Sequence, residues 1–403
     1  MANPFLSGLI ASRLQFRKGK SFSSTVIRIS GISVALGIAI LVVSVVIQAG
    51  FRKEINKRIF SIGGHLSLRQ FSTGTLYEEV ALDGQSPFLK TLAKMPEVAS
   101  VQSFSYKPAL LSNEEEVAGV VFKGIDADFN LTAFQQNLRV PAKSVPAEDE
   151  IWVSGKIARS LDLIEGSKVV AFFIQEPPRY RKLRVSRIYN TGLEEVDENI
   201  AFVSLGLLRE INGWTSTQTG GFEVFVKDFS KLPATITSIE KNIPYNLGAE
   251  SVTQTHSQLF EWLDVIGRNV LVMFVLVAMV AGFNMAATLL IMVMERRQMI
   301  GTLKALGADD GLIRGIFIRN GFRILGWGLA VGNFVGIGFA WLQWQFQLIP
   351  LNPENYYLSS VPIGWDWLSI LGINAGVILI SWLVILLPVR MVNRIRPAEA
   401  VRA

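Results

Sequence analysis

The chain contains no cysteine and only two histidines in 403 residues. Without thiols there is no disulfide, no thiolate nucleophile and no lipid-modified N-terminal cysteine. His65 and His256 stand alone, with no His-Glu-x-x-His and no metal-ligand spacing around either, so each reads as a packing or surface residue. A phosphate loop is missing too. The nearest approach, Gly119-Val-Val-Phe-Lys-Gly124, lacks the Gly-Lys-Ser/Thr ending that cradles nucleotide phosphates. Charge is scarce, at 18% of residues, and absent from residues 269–294 and 324–353. A proton or ion relay therefore has no ionisable group to run on inside those stretches. Asn284, Asn333 and Asn374 are their notable amides, and they read as interhelical hydrogen bonds.

What is present is long apolar runs. About 20 apolar residues span a bilayer as a helix, and four segments qualify: 29–50, 269–294, 324–342 (extending to 349) and 367–389. Lys and Arg near span ends are retained in the cytoplasm. Arg13, Arg17, Lys18, Lys20 and Arg28 precede the first span, and Arg296, Arg297, Lys304, Arg314, Arg319 and Arg323 lie between the second and third. Arg390, Arg394, Arg396 and Arg402 follow the fourth, whereas the loop 343–366 has neither Lys nor Arg. Both termini and the second loop are expected inside, and residues 51–262 outside. This pattern explains much of the net charge of +6 without a nucleic-acid partner. The first span is too long for a signal-peptide core and is expected to remain as an anchor.

The expected organisation follows from these spans. A cytoplasmic N-terminus (1–28) carries an interfacial helix over 5–16, with Phe5, Leu6, Leu9, Ile10 and Leu14 near one face. Transmembrane helices occupy 29–50, 263–294, 316–349 and 367–389. A cytoplasmic helix fills 295–315, an outer loop 350–366 and a cytoplasmic tail 390–403. The external segment shows an internal echo: strand, helix and strand at 65–71, 86–94 and 98–105, then at 222–226, 232–241 and 249–252. Pro87 and Pro233 stand near the helix starts, where a missing N–H costs nothing. One α/β lobe (51–108 and 221–255) is thus interrupted by a strand-rich insertion at 109–220. Its strands are expected at 119–123, 151–153, 168–174 and 183–189, with a proline-stiffened hairpin tip between the last two. Amphipathic helices over 51–60 and 256–268 run into the first two spans. Gly328, Gly332 and Gly336 form a small face that suits either a dimer seam or an intrachain contact.

The charged helix between spans two and three is too short to fold alone and is expected to present a docking surface. Glu295, Arg296 and Arg297 would set it at the membrane face, with Ile300, Leu303 and Leu306 as an apolar stripe.

Met292-Val-Met-Glu-Arg-Arg-Gln-Met-Ile-Gly-Thr-Leu-Lys-Ala-Leu-Gly-Ala308, followed by Ile313 and Phe317, resembles the signature of the FtsX/MacB-type permease superfamily. The ending Arg394-Ile-Arg-Pro397-Ala-Glu-Ala400-Val-Arg402 is similar to that family's, as are Phe122-Lys-Gly-Ile-Asp126 and the stretch from Val153 to Lys168. Ile29-Ser-Gly-Ile-Ser-Val-Ala-Leu-Gly37, Gly50-Phe-Arg-Lys-Glu-Ile55 and His65 resemble the LolC/LolE lipoprotein-release branch. The resemblance implies a type VII, MacB-like ABC permease: an α-helical inner-membrane protein with four spans and a large α/β periplasmic domain between the first and second. It implies no catalytic residue, metal or cofactor on this chain, with ATP and Mg held by a LolD-like ATPase dimer docked on the cytoplasmic helix. The other implied partners are a second permease subunit, membrane lipids, a lipoprotein substrate and a LolA-like periplasmic carrier. Val42, Val46 and Ile47 on the first span and Val270, Phe274 and Val277 on the second would line the lateral substrate cleft. The hairpin tip, Pro177, Pro178, Arg179 and Tyr180, would meet the carrier. A MacB-like efflux permease and an FtsX-like relay to a cell-wall hydrolase remain alternatives.

Overall fold

A computed structural model describes residues 22–70, 79–113, 115–352 and 358–389. The expected interfacial helix at 5–16 and the tail at 390–403 lie outside the described residues. The chain opens with α1 (Phe22–Ile62), β1 (Leu66–Gln70), α2 (Pro87–Ala93), β2 (Val98–Ser112) and β3 (Val117–Ile125). Next come β4 (Glu150–Ser154), β5 (Lys168–Phe173), β6 (Arg179–Tyr189), α3 (Glu194–Asn199), β7 (Ile200–Ser204) and α4 (Leu205–Asn212). β8 (Gly221–Val226), α5 (Leu232–Glu240) and β9 (Leu247–Ser251) complete the sheet, and α6 (Ser257–Glu295), α7 (Arg297–Ala305), α8 (Asp310–Phe346) and α9 (Trp367–Val389) follow. Two units divide the chain: 1–53 with 262–350 and 360–403, and 54–261 with 351–359. The chain passes between them within α1 and within α6.

In the first unit α1, α6, α8 and α9 are each long and apolar enough to cross a membrane. Their shared core includes Ile38, Leu41, Met285, Leu289, Phe317 and Ile385. The glycine face of α8 seats α1, which settles an open alternative in favour of an intrachain contact. A Cβ on Gly328 would stand 2.7 Å from Val34, on Gly332 2.5 Å from the Ala35 carbonyl oxygen, and on Gly336 3.0 Å from that of Ala39. The buried amides bond between helices. Asn333 and Asn374 exchange reciprocal hydrogen bonds of 2.7 and 3.0 Å across α8 and α9. Asn284 on α6 donates to Ser33 Oγ on α1 at 2.7 Å.

The second unit holds a nine-stranded sheet in the order β9-β1-β8-β2-β3-β7-β4-β6-β5, and β5 also pairs with β2. That last pairing closes β2, β3, β7, β4, β6 and β5 into a six-stranded barrel. β2 serves both parts. Its residues from Val98 to Phe104 pair with β8, and Ala109 to Ser112 pair with β5. In the gap on that edge, the Glu79 carboxylate accepts the Tyr106 N–H at 2.9 Å and the Ser105 hydroxyl at 2.5 Å. Pro108 stands in the same interval, where its missing N–H leaves no ladder bond broken. The two echoed units are β1-α2-β2 and β8-α5-β9; they interleave as β9-β1-β8-β2, with Leu66, Leu68, Val98, Phe222, Val224 and Ile239 in one core.

A buried lysine and a half-buried histidine lock this sheet. Lys123 on β3 is fully buried and donates to Glu223 on β8 at 2.5 Å and to the Ile62 carbonyl at 2.7 Å. Burial alone would lower its pKa, but Glu223 and then Tyr106 outweigh burial, so the pKa is raised and the ammonium stays charged. His65 is wedged among Phe60, Phe225 and Phe229, and its Nδ1 accepts the Val226 N–H at 2.8 Å. Burial pushes its pKa down to about 4 from the usual 6.5. The folded state therefore binds fewer protons than the unfolded state between those values, and stability present above 6.5 is lost as pH falls toward 4. The unfolding midpoint should drop across that window. His65→Gln should remove that part of the slope, and an identical slope in the variant would exclude His65 as its source.

Candidate functional site

The candidate docking segment is a tight helix–turn–helix. α6 stops at Glu295, and the Arg296 carbonyl starts α7 by accepting the Ile300 N–H at 3.0 Å. α7 ends on Gly307, whose φ of +87° suits a left-handed helix stop that a side chain would strain. The Ala308 N–H then returns to the Leu303 carbonyl at 2.9 Å. Asp309 caps α8 through the Leu312 N–H at 3.0 Å, and Lys304 meets Asp310 at 2.9 Å. These bonds fix α7 against the start of α8.

The face α7 offers is not the expected one. Ile300 is fully buried in the core of its own unit, and Leu303 is half-buried against that core. Ile300 is thus unavailable to a partner, and Leu303 is available only in part. Leu306 is the most available residue of the stripe, 80% exposed, because it lies at the helix stop and past the packed turn. The outward face is Gln298, Thr302, Ala305 and Leu306, with Glu295 exposed and Arg296 and Arg297 half-buried beside it. Those polar positions, missed in the sequence reading, follow an i, i+4 spacing opposite the apolar stripe.

Two of the six expected cleft residues are withdrawn from any substrate, and the other four are partly covered. Val42 and Val46 are fully buried. Val277 lies on α1, with its Cγ1 2.6 Å from where a Cβ on Gly37 would stand. Phe274 fills the space over Gly376 of α9, 2.7 Å from a Cβ there. α1 and α6 are in contact along their length, through Gly37 with Val277, Ser33 with Asn284 and Phe51 with Trp262, whose ring centroids are 5.7 Å apart. Ile47 and Val270 keep partial exposure, while Leu271, Val275 and Met279 form an exposed α6 stripe.

At the β5–β6 hairpin, Pro177 and Pro178 are exposed and Tyr180 is 63% exposed. Arg179 is already engaged. Its Nη1 donates to the carbonyls of Glu210 (2.7 Å) and Ile211 (3.1 Å), the open C-terminal end of α4. Arg181 pairs with the Glu210 side chain. The free apolar surface of the tip is therefore Ile174, Pro177, Pro178 and Tyr180.

Residues 271–397, which contain this helix–turn–helix, match the FtsX-like permease C-terminal family. The chain carries an FtsX-like permease domain. Along its full length this chain is similar to the lipoprotein-releasing system transmembrane protein LolC of Xylella fastidiosa (strain Temecula1), at 21% identity with 100% of both chains covered. It is equally similar to LolE of Haemophilus influenzae, at 22% with 99% of both covered. LolC of Neisseria meningitidis serogroup B is 22% identical over 96% of this chain and 97% of its own. Among solved structures, the periplasmic region of MacB from Actinobacillus actinomycetemcomitans aligns with 50% of this chain and 95% of its own, at 12% identity and a TM-score of 0.35.

Proposed function

We propose that this chain is the permease subunit of an ATP-driven ABC transporter that lifts lipoproteins out of the outer leaflet of the inner membrane and passes them to a periplasmic carrier. The observation that carries the reading is similarity over the whole length to proteins named LolC and LolE, together with an FtsX-like domain built around the exposed α7 turn. The arginine-rich ends support a cytoplasmic side for both termini and α7 and a periplasmic side for the nine-stranded domain. Acyl chains held at about 0.8 kcal/mol per buried CH₂ need external work to leave the bilayer. A separate ATPase, seated on Gln298, Thr302 and Leu306 beside Glu295, supplies it, because the chain has no phosphate loop. The acyl chains lie on the exposed outer half of α6, at Leu271, Val275 and Met279 beside Ile47 and Val270, facing a second permease subunit. Ile174, Pro177, Pro178 and Tyr180 meet the carrier.

The helix turn gives the test. Leu306→Asp changes a side chain that supports no packing, so membrane insertion and melting should be unchanged while co-purified ATPase falls at least tenfold. Ile300→Asp should instead lose folded protein, since it puts a charge in the core. Wild-type ATPase recovery with Leu306→Asp would show that the motor docks elsewhere. The transport reading itself rests on depletion: lipoproteins should accumulate in the inner membrane when the protein is removed.

A further inference from the structure

A groove of about 610 Å³ opens where α8 ends and α9 begins, at the boundary where these two spans leave the apolar layer. It lies apart from α7, from the exposed stripe of α6 and from the hairpin tip. Phe334, Gly338, Trp341 and Trp344 line it from one face of α8, at the three- and four-residue spacing that stacks side chains along a helix. Trp365 and Trp367 close it from the entry to α9, with their rings stacked 5.5 Å apart and 13° from parallel. The loop that carries them is held in place. Gln343, fully buried, donates to the Val361 carbonyl at 3.1 Å and accepts the Ile349 N–H at 3.0 Å. Gly364 donates to the Val46 carbonyl at 2.8 Å, and Asp366 accepts the Ser369 N–H at 3.1 Å and its hydroxyl at 2.6 Å. The indoles themselves are not engaged: among the described residues none of the four N–H groups meets an acceptor. Trp341, Trp344 and Trp367 are each about half exposed.

We propose that this groove binds one phospholipid with an ammonium headgroup, the ammonium resting on the indole faces and the phosphate and ester oxygens accepting the indole N–H groups. An indole face attracts a cation better than the other aromatic rings do, and its N–H needs an acceptor once it leaves water. A lipid head supplies both at once. The charge pattern selects against an anionic lipid. Residues 343–366 contain no Lys or Arg, and their two charged residues, Glu354 and Asp366, are both acidic. The volume falls in the range of small-molecule sites, roughly 300–1,000 Å³, and suits a headgroup with its glycerol. Phe334 lies about 10 Å deeper along α8 than Trp341 and is 81% exposed, so it meets the upper acyl chains. Scattered interfacial tryptophans contact lipid without choosing among headgroups. Here four of the chain's nine converge on one preformed groove. The site needs the spans but neither an ATPase nor a transported cargo, so it stands or falls separately from the transport reading.

Native mass spectrometry of the full chain in detergent, titrated with dioleoylphosphatidylethanolamine, tests it. One saturable lipid per chain is expected, with dioleoylphosphatidylglycerol and dioleoylglycerol each at least tenfold weaker. Trp341→Leu combined with Trp344→Leu should weaken phosphatidylethanolamine at least tenfold. Gly338→Leu keeps all four indoles and fills the groove floor, where a Cβ meets nothing within 4 Å, and should weaken it at least fivefold. That variant decides the case in which the double variant misfolds. The proposal is overturned by no saturable phosphatidylethanolamine binding, or by unchanged affinity in Gly338→Leu. Equal binding of phosphatidylglycerol or dioleoylglycerol would also overturn it, since that is the behaviour of a nonselective aromatic belt.

Discussion

Gly332→Leu is expected to unseat α1 from α8 and to destabilise the membrane unit by about 3 kcal/mol, the upper range for overpacking a close contact. The first added carbon already falls 2.5 Å from the Ala35 carbonyl oxygen and 2.7 Å from Ile38 Cβ. A backbone carbonyl cannot rotate aside as a side chain can, so the helices must separate. Separation would also strip contacts from Val34 and Ile38, both in the unit's core. Gly338 is the control: a Cβ there meets nothing within 4 Å, so Gly338→Ala should melt like the wild type. Thermal unfolding followed by size-exclusion of the detergent-solubilised protein would measure both. Equal melting of Gly332→Leu and wild type would mean that α1 and α8 are not held by this face.

The second large effect is expected at Lys123. Lys123→Met should cost about 3–5 kcal/mol, because it strands the Glu223 carboxylate in the sheet without its counter-charge. Adding Glu223→Gln should recover most of the loss. The amide oxygen still accepts from Gln102 Nε2, which sits 2.6 Å from Glu223 Oε2, but no buried charge remains. Hydrogen exchange of β3 and β8 peptides in the full chain would read the two variants against each other. Equal protection in single and double variants would show that the pair contributes no coupling.

The fold class was legible because its signals are local. Absence of charge marks the spans, and prolines at the starts of α2 and α5 mark two strand–helix–strand units whose separation implies an insertion. The four strand stretches read within that insertion coincide closely with β3, β4, β5 and β6. Barrel closure was not legible, since it depends on Ala109 meeting Phe173 across a long stretch of chain. The surfaces failed for a related reason. Periodicity identifies an apolar stripe but not whether it faces a partner or the chain's own core, and for Ile300 it faces the core. α1 is apolar all round at its middle, so nothing in the sequence sets the rotation that buries Val42 and Val46. Arg179 looked free because the carbonyls it caps belong to a helix about thirty residues later.

The double duty of β2 bears on how the domain is made. Its barrel partners, β3 and β5, emerge from the ribosome soon after it, whereas β8 comes only near the end of the domain. β1 waits longest, because Leu66 is paired only by Val224 and Ser251. The barrel can therefore close while the edge of β2 from Val98 to Phe104, together with all of β1, is still unpaired. Contacts so distant in sequence form slowly, and unpaired strands invite association with other chains meanwhile. The nascent protein would have its greatest need of a chaperone after residue 204 has emerged and before residue 251 has.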